Sequence, residues 1–393
     1  MLYRRFGRTE LRMPVFTCGG MRYQYQWQDL SWSQIPSENQ TNLVATIRQA
    51  LDLGINHIET ARGYGSSEMQ LGRILPRLPR ESLIVQTKVA PAADVTEFLR
   101  KVDQSFAYLQ LDFVDLLSLH GINTYEHLQQ SLGAQGCVAA ARQLVREGRV
   151  RHLGFSTHGP LEVILAAIQS DQFDYVNLHW YYINQENWPA IQAAADHDMG
   201  VFIISPSDKG GKLYQPPAKL VDLCRPLSPM VFNDLFCLSH PQVHTLSIGA
   251  ARPSDFADHL QALILLDQAD TLLPPILARL ETALAEVVGE SFAKQWRQGL
   301  PSYWDTPGQV NIPVILWLRN LVLAYDMVDY AQNRYNLLGK GSHWFPGEKA
   351  ERIENNQLRS CLQASPFRDQ IPDLLREAHQ LLNGAALERL SQS

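Results

Sequence analysis

The chain has 393 residues, 34 Lys and Arg against 40 Asp and Glu, a formal charge of −6, and 45% apolar and 19% charged residues. That composition is globular, with material for one large core or two smaller ones. Its acidic balance lacks the basic footprint of phosphate-backbone binding, so nucleic acid is not expected as a partner. The first twenty residues carry Arg4, Arg5, Arg8 and Arg12 without an apolar segment, and the best apolar run, Ile312 to Val328, is broken by Arg319, Asn320 and Asp326. Neither a secretory signal nor a membrane span is expected. Five cysteines, odd in number and far apart, argue against a disulfide framework and for a reducing, cytoplasmic setting.

Short β-branched runs predict strands at Val15–Cys18, Ile55–Glu59, Leu83–Thr87, Phe113–Leu119, Arg151–Phe155, Tyr175–Trp180, Val201–Ser205 and His244–Ile248. Helical patterns fall between them at Asn39–Leu53, Ser67–Leu75, Asp94–Leu109, Glu126–Glu147, Pro160–Gln169, Trp188–Asp198, a broken Ala218–Leu238, and Ser254–Leu266. Eight such alternations imply parallel crossovers and a closed (β/α)8 TIM barrel, an α/β fold, over residues 1–270. Beyond that point the strand signal stops. Leu272–Val287, Ile312–Gln332 and Ile371–Leu390 read as helices, so residues 271–393 form a helical C-terminal extension.

A barrel of this kind carries its chemistry at the C-terminal ends of its strands. There the second predicted strand leads into Glu59 and Tyr64, the third ends in Lys88, and the fourth in His120. A single strand-end lysine or histidine is usually structural. An acid, a phenol, an amine and an imidazole on three neighbouring strand ends suit the polarisation of a carbonyl. A nearby ammonium lowers a phenol's pKa, a carboxylate holds the ammonium, and an imidazole orients the substrate oxygen. The seventh strand runs into Ser205-Pro206-Ser207-Asp208-Lys209-Gly210-Gly211-Lys212, a loop fit for close approach to a phosphate. No GxGxxG, GxxxxGK[ST], HExxH or paired CxxC occurs, so neither another phosphate motif nor a metal site is indicated.

The run His57-Ile58-Glu59-Thr60-Ala61-Arg62-Gly63-Tyr64-Gly65, with Lys88, His120 and Gly154-Phe155-Ser156, resembles the active-site pattern of the aldo/keto reductases over residues 1–265. The resemblance implies reduction of a small-molecule aldehyde or ketone by NADP(H), with NAD(H) as the other candidate nucleotide. Glu59, Tyr64, Lys88 and His120 would be catalytic, Tyr64 as the general acid. Ser156, Thr157 and Asn177 would hold the nicotinamide amide. Ser205, Gly210, Gly211 and Leu213 would take the pyrophosphate, Gly249 belongs to the second cofactor loop, and Arg252 is the candidate for the 2′-phosphate.

Three departures from that family involve four positions. Glu59 stands where aspartate is usual, Ile204 where an aromatic residue often stacks on the nicotinamide, and Asp255 and His259 where an arginine and an asparagine are common. The tail, from Tyr335-Asn336-Leu337 to Pro372-Asp373-Leu374-Leu375, resembles a branch whose extension carries a ferredoxin-type C-x2-C-x2-C-x3-C-P segment. Here, near residues 355–375, the four positions are Asn355, Leu358, Cys361 and Ser365. One thiol of four predicts no iron–sulfur cluster. The substitutions leave a second expectation open, a barrel that binds nucleotide and acts through a protein partner instead of by turnover.

Overall fold

The computed structural model describes residues 1–340, 345–352 and 355–384. Its centre is a closed barrel of eight strands: β3 (Phe16–Gly19), β4 (His57–Glu59), β5 (Ile84–Val89), β6 (Val114–His120), β7 (Val150–Ser156), β8 (Tyr175–Leu178), β9 (Gly200–Ile203) and β10 (Thr245–Ile248). Every neighbouring pair is parallel, and β10 closes the ring on β3 with Leu246 opposite Phe16. This is the (β/α)8 architecture expected from the alternation. The strands are buried almost throughout, as parallel strands covered on both faces must be.

The barrel interior is partly polar. The Thr17 hydroxyl bonds His57 Nδ1 at 2.7 Å and the Thr245 hydroxyl at 2.8 Å. Gln86 donates to Ser118 Oγ at 3.0 Å, and Ser118 meets the Tyr175 hydroxyl at 2.9 Å.

The helix Val95–Leu109 shows why the periodic reading works. Asp94 caps its first turn by accepting from Thr96 N, and Phe98, Val102, Phe106 and Leu109 form one buried stripe. The predicted helix Glu126–Glu147 is two, Tyr125–Leu132 and Cys137–Arg146. The break holds Gly136, where any side chain would meet the Ser131 carbonyl at 2.4 Å. Ile312–Gln332 likewise divides into Ile312–Tyr325 and Val328–Tyr335 at Asp326, whose backbone is left-handed with φ 59°.

A hairpin absent from the sequence reading precedes the barrel, β1 (Tyr3–Arg5) antiparallel to β2 (Arg12–Pro14). Between its strands Phe6 is fully buried against Tyr175 and His244, with ring centroids at 5.6 and 5.7 Å. Gly200 makes room for that ring, since a Cβ there would lie 2.6 Å from it.

By internal packing the chain divides into Met1–Gly210 with Asn233–Asp267, and Gly211–Phe232 with Gln268–Ser393. In the second unit Ala269–Val288, Ile312–Tyr325 and Ile371–Leu382 are the main helices. Arg319 is ion-paired to Glu377 at 2.7 Å, and the Tyr335 hydroxyl meets His379 Nδ1 at 2.6 Å. Trp344 and the part of the predicted last helix beyond residue 384 lie outside the described residues. Cys361, at the end of the helix Asn355–Cys361, donates its thiol to the Leu358 carbonyl at 3.1 Å. Among the described residues no helix is long and apolar enough to cross a membrane, and no group of three His, Cys, Asp or Glu could hold a metal ion.

Candidate functional site

The ends of β4, β5 and β6 bring Glu59, Lys88 and His120 together with Tyr64. Lys88 and Glu59 are both almost wholly buried, and the lysine ammonium is in direct contact with Glu59 Oε1. The same ammonium donates to the Thr60 carbonyl at 3.0 Å and the Tyr64 hydroxyl at 3.3 Å. Tyr64 meets His120 edge to face, with centroids 5.8 Å apart at 85°.

The turn carrying Tyr64 is tightly specified. Arg62 N donates to the Lys88 carbonyl at 2.8 Å, and Tyr64 N to the Ala61 carbonyl at 2.9 Å. Gly65 has φ +53°, and a Cβ there would lie 1.9 Å from the Gln26 carbonyl. Only glycine fits, because the loop over residues 24–27 lies directly on it. Ser66 Oγ accepts from the backbone N–H groups of Tyr25 and Gln26. This clamp sets Trp27 edge-on to Tyr64, centroids 6.2 Å apart. Arg62 joins Asp29, two residues beyond that loop, to the fully buried Glu68. Glu68 thus anchors the turn, and its carboxyl is raised by burial against the opposing effects of Arg62, Thr87 and Ser105.

Electrostatics here differ from the sequence expectation. A lysine beside a phenol was expected to lower the phenol's pKa, yet burial pushes Tyr64 upward. Tyr64 is therefore a fully protonated phenol at neutral pH. Burial also pulls Lys88 well below the ordinary lysine value, and the Glu59 carboxylate in contact with it opposes that loss of charge.

The candidate nucleotide positions fall on the next strand ends. Ser156 Oγ accepts from Gly121 N at 3.2 Å. The Thr157 hydroxyl donates to the Ile122 carbonyl at 2.7 Å and accepts from Gly159 N at 2.9 Å. Asn177, on β8, is fully buried with neither amide atom bonded among the described residues. Ser205 has a left-handed φ of 52°, and its carbonyl accepts from Lys209 N at 2.9 Å. Ser207 Oγ is buried without a partner among the described residues. A Cβ at Gly210 would lie 1.9 Å from the Pro206 carbonyl. Gly211 and Leu213 belong to the second unit. After β10, the Gly249 carbonyl accepts from Arg22 at 2.8 Å. Arg252 is largely exposed and pairs with Asp255 at 3.2 Å, while Asp255 also accepts from Ala251 N. His259 is buried on Asp234 at 2.5 Å. The two departures after β10 thus have structural work: Asp255 braces the loop and His259 closes a buried pair.

Sequence reasoning gave no role to a chain of contacts across the ends of β7, β8 and β9. His158 Nδ1 contacts His179 Nε2, and His179 Nδ1 lies 2.5 Å from the Tyr181 hydroxyl. That hydroxyl donates to the Ile204 carbonyl at 2.5 Å. Each residue is unremarkable alone, and only the fold brings them into line.

Comparison with known proteins gives one family. The sequence model of the Aldo/keto reductase family matches residues 17–213. The chain is 38% identical over 129 residues to L-galactose dehydrogenase from Arabidopsis thaliana, a match covering 30% of this chain and 39% of that protein. It is 25% identical over 176 residues to L-glyceraldehyde 3-phosphate reductase from Escherichia coli, covering 41% and 46%. These matches therefore span less than half of either relative's length. Among solved structures, an aldo-keto reductase from Klebsiella pneumoniae in complex with NADPH aligns with TM-score 0.53 at 21% identity, covering 70% of this chain and 95% of that one. A holo-form aldo-keto reductase from Bacillus halodurans aligns with TM-score 0.55 at 20% identity, covering 71% and 96%. At such identities the structural likeness concerns the fold.

Proposed function

Because the chain belongs to the aldo/keto reductase family, we propose that it reduces an aldehyde or ketone to an alcohol with NADP(H), NAD(H) being the alternative nucleotide. The observation that carries this reading is the junction at Lys88, whose ammonium touches both the Glu59 carboxylate and the Tyr64 hydroxyl.

The pocket's own atoms suit a nicotinamide nucleotide. Asn177 offers one unsatisfied donor group and one unsatisfied acceptor in a buried setting, the complement of a carboxamide. A buried polar atom without a partner costs about 1–3 kcal/mol unless a ligand satisfies it. Ser207 Oγ offers another such atom in the loop proposed for the pyrophosphate. Within the same unit, Ser156, Thr157, Ser205, Gly210, Gly249 and Arg252 complete the proposed binding set.

When bound, the nucleotide supplies a hydride to the carbonyl carbon. Tyr64, protonated at neutral pH, gives its proton to the carbonyl oxygen. The Lys88 ammonium stabilises the phenolate left behind, Glu59 keeps that ammonium charged, and His120 orients the carbonyl oxygen beside Tyr64. Residues 1–270 are the reductase module and residues 271–393 a helical extension that has lost the thiolates of an iron–sulfur segment.

The test is titration of the purified protein with NADPH and separately NADH by nucleotide fluorescence, followed by consumption of NADPH over a panel of aldehydes. Micromolar binding with turnover supports the reductase. Binding without turnover across the panel replaces it with a nucleotide-sensing barrel that acts through a partner. Binding of neither nucleotide rejects both.

A further inference from the structure

The contacts across β7, β8 and β9 have an assigned direction. The Ile204 carbonyl only accepts, so the Tyr181 hydroxyl spends its one proton there. Tyr181 oxygen must then accept from His179 Nδ1–H, at 2.5 Å. The Lys209 ammonium, which only donates, stands 3.4 Å from His179 Nε2. With Nδ1 as the donor, a neutral His179 presents its Nε2 lone pair towards His158 Nδ1.

Each member is fixed at its backbone as well. His158 N donates to Asn123 Oδ1 at 2.7 Å, Asn187 donates to the His179 carbonyl at 2.9 Å, and Tyr181 and Asn184 exchange backbone bonds. The two imidazoles are close to coplanar, meeting edge to edge with centroids 4.6 Å apart and planes 20° apart. The chain is thus pre-set, and it ends at one atom.

That atom is the carbonyl immediately before Ser205. A non-glycine residue in left-handed backbone costs roughly 1 kcal/mol or more and persists only where its surroundings impose it. Ser205, at φ 52°, is where the chain leaves β9 for the loop proposed to hold the pyrophosphate.

We propose that His179 and Tyr181 are positioning residues for the nicotinamide nucleotide, holding the left-handed turn at Ser205 through the Ile204 carbonyl in the geometry the nucleotide requires. This rests on the nucleotide-dependent reading above. Neither residue touches the reacting atoms in this account. Their effect falls on nucleotide affinity and leaves the chemical step alone.

Three variants of the full chain test it: Tyr181→Phe, which removes only the hydroxyl; His179→Asn, whose amide N–H stands where Nδ1–H does; and His179→Leu, which has no donor. NADPH affinity is read by fluorescence, KM for NADPH and kcat are separated by steady-state kinetics, and thermal unfolding confirms the fold. Tyr181→Phe and His179→Leu are expected to raise the dissociation constant and KM about tenfold, the loss of one well-made hydrogen bond, with kcat within about twofold. His179→Asn is expected to stay within about threefold of wild type on both. Unchanged affinity in Tyr181→Phe overturns the proposal even if both His179 variants unfold. A fall in His179→Asn equal to that in His179→Leu also overturns it, because it marks a packing role. If the wild-type protein binds neither NADPH nor NADH, the nucleotide reading itself has failed, and that result is visible before any variant is made.

Discussion

The Lys88 ammonium lies 3.3 Å from the Tyr64 hydroxyl and 4.6 Å from the centre of its ring. The contact binds a cation to a phenol that burial keeps protonated, so the hydroxyl begins as a donor and its conjugate base has a counter-charge waiting. Removing that one oxygen should separate chemistry from binding. Tyr64→Phe is expected to lower kcat by at least about 10²–10⁴, the range for a general acid, while the NADPH dissociation constant changes less than about twofold. Turnover retained in this variant would reject Tyr64 as the acid.

Glu59 answers for a buried cation. Glu59→Gln leaves Lys88 without its counter-ion in a site almost closed to water, and breaking such a pair by removing one partner costs about 3–5 kcal/mol. Urea unfolding should show that loss. Adding Lys88→Met should recover much of the stability and none of the turnover, since the penalty comes from the stranded charge. A double variant no more stable than Glu59→Gln would mean that the pair matters through shape.

Acid should destabilise the barrel through two histidines. Burial and then the nearby Lys88 charge pull His57 down to about 3, and burial followed by Arg4 pulls His244 down to about 4. Both bind a proton in the unfolded chain near pH 6.5 but not in the folded one. The unfolded state thus holds more protons between those values, and stability rises with pH there. It is fully present above about pH 6.5 and is lost as pH falls towards 3. For His57 the full effect is on the order of 5 kcal/mol. Unfolding midpoints measured from pH 7 to pH 4 should fall more steeply for wild type than for His57→Gln; parallel curves would assign the acid loss to other groups.

Gly65→Ala should damage site and fold together. The new methyl group would overlap the Gln26 carbonyl, on a residue already at φ +53°. A loss above about 3 kcal/mol is expected, because strain and steric overlap add. If the variant folds, Trp27 no longer sits squarely on Tyr64, and KM for aromatic aldehydes should rise more than KM for small aliphatic ones. Equal changes in both would detach Trp27 from substrate recognition.

The helical extension carries its own prediction. One cysteine remains of the four ferredoxin-type positions, and its thiol is raised by burial and turned to a helix carbonyl. Iron determined on anaerobically purified protein should be far below one atom per chain. Stoichiometric iron would mean that other ligands had replaced the lost thiols.

The eight barrel strands were legible because parallel strands buried on both faces are continuous apolar runs, and the glycines and caps between them mark real ends. The hairpin was not legible. Tyr3–Arg5 and Arg12–Pro14 are three residues each, rich in arginine, without the alternation that marks a strand. Gly136 and Asp326 broke two helices because local steric demands overrode periodicity. At the site, Glu59, Tyr64, Lys88 and His120 could be placed by strand ends alone. The direction of the Tyr64 shift could not, since it depends on how completely the surroundings exclude water. The line from His158 to Ile204 was hidden for a different reason: its members sit on three elements, and only barrel closure sets them side by side.

The hairpin gives the barrel a floor. Phe6 packs on Tyr175, His244 and Gly200, at the strand starts, the opposite end of the barrel from Glu59 and Lys88. A molecule held by the unpaired Asn177 amide is expected to slow deuterium uptake along β3 to β6, which would serve as a label-free gauge of occupancy.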